Sequence, residues 1–139
     1  MSFREKSAWL MGALMVGAGL YYLNMAIAAS RAVGWAAPPV TIFIPFTFLV
    51  IIASIVAQTT IALLTPKEAG APADERERPL LDRAGHWSGV VLGAGAVISL
   101  IQFFYHQDGV LLFHMIVGSL IVSQITESAF QITLIRRNS

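Results

Sequence analysis

The chain contains no cysteine, which removes disulfides, thiolate metal centres and thiol nucleophiles from consideration. Charge is scarce too. Asp, Glu, Lys and Arg make up 12% of the 139 residues, where a soluble domain carries about a quarter. The net charge of +1 supplies no field to gather a nucleic acid. Nor does the sequence contain a phosphate-cradling glycine loop, a His-Glu-x-x-His run or a Gly-x-Ser-x-Gly elbow, and no nucleophile stands beside a base. Gly93-Ala94-Gly95 lacks the third glycine and the preceding strand of a dinucleotide fingerprint. These absences speak against an enzyme, and no cofactor is expected.

What is present is apolar: 56% of the residues are hydrophobic and the mean hydropathy is +0.70. One small globule cannot hide that much apolar surface. It is gathered into four blocks, at about 7–30, 40–65, 84–105 and 110–135, each of more than 20 residues. At a rise of 1.5 Å per residue, such a block crosses about 30 Å of hydrocarbon. Inside lipid every backbone group must be satisfied within its own segment, which selects helices. The expected fold is therefore all-α: a polytopic membrane protein, 1–139 forming one up-down-up-down bundle of four transmembrane helices. Arg4, Lys6 and Ala26-Ile27-Ala28 give the first block the outline of a signal peptide, but its apolar stretch is long for that role and it is expected to remain as a span.

Orientation follows from the cations. Arg4, Lys6, Lys67, Arg76, Arg78, Arg83, Arg136 and Arg137 fall on one side of such a bundle, and Arg31 alone falls on the other. The positive side faces the cytoplasm, so both termini and the 66–83 loop are expected there. Trp9 and Trp87 then lie near the cytoplasmic interface, and Trp35, Tyr105 and Tyr21-Tyr22 towards the outer one. Pro38-Pro39 opens the second span, and Pro45 inside it should bend the helix.

The loop carries Asp74, Glu75, Arg76, Glu77 and Arg78 between prolines, with opposite charges interleaved. That pattern suits a solvated connection or a docking epitope for a cytoplasmic partner. The run Asp74-Glu75-Arg76-Glu77 before a membrane helix, together with the opening Ser2-Phe3-Arg4-Glu5-Lys6-Ser7-Ala8-Trp9, resembles small bacterial four-span membrane proteins that have no assigned activity. The likeness covers about a tenth of the chain. It implies a multi-pass protein of the bacterial inner (plasma) membrane and no particular chemistry.

Glu127 is the one formal charge well inside a span. A charge near mid-helix costs about 3 kcal/mol, so the group should be protonated, hydrogen-bonded or facing water. Ser123, Gln124, Ser128 and Gln131 share its side of the helix by 100° counting, and Gln58 lies at similar depth as the expected partner. Two roles stay open: proton or ion handling, or polar contacts that hold helices together. Gly85, Gly89 and Gly93, and likewise Ala13 and Gly17, repeat every four residues, which allows backbones to touch within the chain or in a homo-oligomer. His106, Asp108 and His114 flank the outer loop as a candidate metal cluster, and Asn24, Gln102 and His114 form a candidate second polar layer. Tyr21, Tyr22, Phe103, Phe104 and Tyr105 suit an interfacial belt or a lipid or quinone site.

Two functions are carried forward. One is a homo-oligomeric transport or channel-like protein with Glu127 as its proton or ion site. The other is a non-transporting structural or regulatory membrane subunit that binds a partner through the 66–83 loop. Because the chain has no native thiol, single cysteines report sidedness cleanly. Ser2→Cys and Ser139→Cys should both react with a membrane-impermeant maleimide only from the cytoplasmic side, and labelling of the two ends from opposite sides overturns the topology.

Overall fold

A computed structural model describes residues 3–34, 39–69, 75 and 77–137. Four helices are long and apolar enough to cross a membrane: α1 (Phe3–Val33), α2 (Pro39–Leu64), α4 (Glu77–His106) and α5 (Gly109–Arg137). A single turn, α3 (Pro66–Ala69), follows α2. The chain is thus an all-helical, multi-pass membrane protein.

Helix ends follow local chemistry. Gly34 stops α1 with φ at +75°, a left-handed turn that costs glycine nothing. Pro39 opens α2 at a position where its missing N–H is no loss, and α2 runs through Pro45 without ending. The connection between α4 and α5 is only Gln107 and Asp108. Gln107 takes φ 54° and donates its N–H to the Phe103 carbonyl at 2.7 Å. Asp108 Oδ1 then accepts from the Val110 and Leu111 amides at 2.9 and 3.1 Å, an N-cap that starts α5.

Helix α4 begins earlier than its apolar block. Glu77 sits in the first turn and Pro79 follows within it, where amides have no intrahelical acceptor. The 66–83 connection is therefore shorter than expected, its last seven residues being helical. Likewise α1 starts at Phe3, and Arg4, Glu5 and Lys6 belong to its first turns.

Helix α5 packs between α1 and α4, while α2 packs on α1 and touches α5 only narrowly. The start of α1, the end of α2, the start of α4 and the end of α5 meet at one end of the bundle, here the proximal end. Glu5 pairs there with Arg136, Arg4 with Glu77 and Ser7 with Gln58. The distal half is filled by Ala18, Tyr22, Ile42, Phe46 and Val117. Tyr22 meets Phe46 edge-on at 4.9 Å, and Phe43 meets Phe113 at 5.2 Å. Large apolar side chains otherwise face outward, among them Phe48, Ile52, Ile55, Ile98 and Phe104. That surface suits hydrocarbon and would be ruinous in water.

The helix contacts rest on small residues, but not the expected ones. Gly85, Gly89, Gly93, Ala13 and Gly17 are exposed, and a Cβ added at any of these four glycines meets nothing within 4 Å. The packed stripes lie one residue away, a rotation of about 100°. On α4 they are Ala84, Ser88, Gly95 and Ser99, and on α1 they are Ala8, Gly12 and Gly19. Serines complete these contacts: Ser88 and Ser123 hydroxyls lie 2.8 Å apart, and Ser123 also donates to the Ser88 carbonyl at 3.0 Å. Small residues recur on two adjacent faces of each helix, and the facing serines of α5 select one.

A Cβ at Gly95 would stand 2.7 Å from Ser119 Cβ, too close without a shift of α4 from α5. Gly95→Ala should destabilise the detergent-solubilised protein by about 1–3 kcal/mol. Gly93→Ala, pointing into open space, should be neutral or stabilise by up to about 1 kcal/mol through helix propensity. Thermal unfolding followed by circular dichroism separates the two.

Candidate functional site

At the proximal end the first turns of α1 and α4 lean on the last three turns of α5. Glu5 is buried and accepts from Arg136 Nε at 2.8 Å, while the Arg136 guanidinium lies 5.4 Å from the Trp9 ring centroid. Arg4 Nε reaches Glu77 Oε2 at 3.0 Å. These two ion pairs bracket a cavity of about 310 Å³, lined by Phe3, Arg4, Ser7, Leu81, Asp82, Glu127 and Gln131. The cavity is polar, and three helices contribute to it.

Glu127 is half-buried on its wall, and Gln131 Nε2 donates to its Oε1 at 3.1 Å, one turn along α5. At 1.5 Å per residue, ten residues place Glu127 about 15 Å from the end of α5, inside that spanning helix. Arg4 is matched by Glu77. Asp82 and Glu127 therefore leave the lining negative, a field that favours cations.

The residues expected around Glu127 divide. Gln131 joins it. Gln58 does not: its amide is held by Ser7, which donates to Oε1 at 3.0 Å and accepts from Nε2 at 2.9 Å. Since Ser7 lines the cavity, Gln58 supports the site one step behind it. Ser123 turns into the α4 contact with Ser88, and Ser128 packs against Gly12. Gln124 is exposed on the helix surface. Depth counting brought these residues to one level, but neighbouring helices sort them by direction.

Arg4, Ser7 and Asp82 were not anticipated as site residues. Hydropathy ends the spans before their charged first turns, so Arg4 read as an orientation signal and Asp82 as loop. Helical phase carried the missing signal, because Arg4 and Ser7 are three residues apart and share a face once α1 is extended to Phe3.

The outer candidates do not assemble. Asp108 caps α5. His106 Nδ1 pairs with Gln102 Nε2 at 2.9 Å, and His114 Nδ1 pairs with the Tyr22 hydroxyl at 2.7 Å. Among the described residues no group of three His, Cys, Asp or Glu is placed to hold a metal. The layer of Asn24, Gln102 and His114 also fails to form, since Asn24 is exposed and the other two have these separate partners. In the aromatic group Tyr22 enters the core, whereas Phe104 and Tyr105 project outward, edge to face with ring centroids 6.0 Å apart. Of the loop charges, Asp74 and Arg76 lie outside the described residues, Glu75 and Arg78 are exposed, and Glu77 is taken up by Arg4.

Comparison of the chain with protein-family models, with curated proteins and with solved structures gives no match.

The Glu5–Arg136 pair joins the first and last spans with one partner buried and the other 58% exposed. Glu5→Gln keeps the shape and removes the charge. It should lower stability by about 1–2 kcal/mol, less than a fully buried pair because water screens Arg136. The loss should shrink in 1 M salt, read as the unfolding midpoint in detergent.

Proposed function

We propose that this chain is a small multi-pass protein of the bacterial inner membrane that handles protons or small cations at Glu127 and works as a homo-oligomer. The observation that carries the reading is Glu127 itself, a carboxylate inside a spanning helix, on a cavity whose wall also presents Asp82, Ser7 and Gln131. A carboxylate placed there only to glue helices would engage a neighbouring helix. Among the described residues the hydrogen bond made by Glu127 is to its own helix, and Glu127 lines the cavity.

The cations at the proximal end, including Arg4, Arg78, Arg83, Arg136 and Arg137, support placing that end in the cytoplasm. The cavity would then fill from the cytoplasmic side. Beyond Glu127 the bundle is plugged by Tyr22, Phe46 and Val117. A continuous path consequently runs along the protein surface, between copies. Exposed Gln124 and the bare stripe of Gly85, Gly89 and Gly93 offer a route and room for a second copy to approach.

Reconstitution tests this. Proteoliposomes carrying the native chain should show pyranine-reported proton or cation flux, reduced at least tenfold by Glu127→Gln and less by Asp82→Asn. Equal flux from native and Glu127→Gln protein overturns the assignment. No flux from either, with a co-purifying protein lost on Arg78→Glu, is the result expected of a non-transporting subunit.

A further inference from the structure

A second cavity, of about 470 Å³, lies in the distal half between α1 and α5. It is separate from the Glu127 site and has the opposite character. Its rim is made by Leu20, Leu23, Ile27 and Val122, all exposed on the flank of the bundle, so it opens sideways towards lipid. Gly118 is part of its wall, and a Cβ there would meet nothing within 4 Å, so the missing side chain helps to make the space. Volume and lining match the pockets that take small lipophilic ligands through a few placed polar groups.

Tyr22 and His114 supply those groups. Both line the cavity, with the hydroxyl and Nδ1 2.7 Å apart. If Tyr22 donates, His114 Nε2–H remains as a donor and the Tyr22 oxygen as an acceptor. If His114 donates, the Tyr22 O–H remains as a donor and Nε2 as an acceptor. Either tautomer therefore offers one donor and one acceptor to a ligand. A carbonyl uses the donor, and a hydroxyl uses both.

We infer that this cavity binds a neutral, lipid-soluble quinone and its quinol, with the ring at the Tyr22–His114 pair and the tail leaving across Leu23 and Ile27. Charge complementarity selects this occupant. Among the described residues no Asp, Glu, Lys or Arg lines the cavity, so a phosphate head finds no counter-charge among them. An acyl chain, in turn, leaves the remaining donor and acceptor of the pair unused. The tautomer exchange suits a ligand found as both carbonyl and hydroxyl. This site stands apart from the Glu127 reading and does not depend on it.

The test uses the full chain in phosphatidylcholine nanodiscs titrated with decylubiquinone and with its quinol, empty nanodiscs serving as the blank, by calorimetry. Saturable binding of both forms above the blank is expected. Tyr22→Phe, which keeps the ring against Phe46, should weaken it about tenfold, the worth of one or two hydrogen bonds. Gly118→Leu should fill the space and abolish binding while circular dichroism shows unchanged helix content. Heats equal to the blank overturn the assignment, as does undiminished binding by a folded Gly118→Leu protein. So does a tightly held phospholipid that added quinone fails to displace.

Discussion

Helices in hydrocarbon gain nothing by hiding leucine from a solvent that is itself oily, so contact depends on how closely two backbones approach. In this protein that approach is set by small residues of α1 and α4 that face serines of α5. Gly12 meets Ser128, Gly95 meets Ser119 and Ser88 meets Ser123. Each contact brings main chains together and, in the serine pair, adds a hydrogen bond with no water to compete for it. The rest of the architecture follows. Helix α5 is central because it carries serines on both packed faces, and α2 can remain peripheral because it adds mainly the aromatic ends of the distal core.

The two halves of the bundle then serve different chemistries. The distal half is filled by aromatic and branched side chains around the Tyr22–His114 pair, and its cavity opens to lipid. The proximal half is held by ion pairs and an amide–hydroxyl contact, and its cavity is lined by acids. Each cavity occurs where small or polar residues leave the neighbouring helix unable to fill the gap.

Much of the fold was legible because hydropathy reports what lipid demands. Four blocks of spanning length gave four spanning helices. Helix ends were less visible, since Arg4, Glu5 and Glu77–Arg83 are helical yet not apolar, and only capping and phase reveal them. Within the chain, packing uses the stripe one residue from Gly85, Gly89 and Gly93. Gly89 and Ser88 are both small, and which one meets α5 depends on Ser123, a partner 35 positions away. Glu127 stood out as a lone buried acid, but Gln58 was matched to it on depth alone. Depth says nothing of direction, and Ser7, nearer to hand on α1, takes that amide. The Tyr22–His114 pair, 92 positions apart, left no trace in local pattern.

The clasp between Glu5 and Arg136 joins residues 131 positions apart. During synthesis the first helix enters the bilayer long before Arg136 on the last span has been made, so this clasp can close only after all four helices exist.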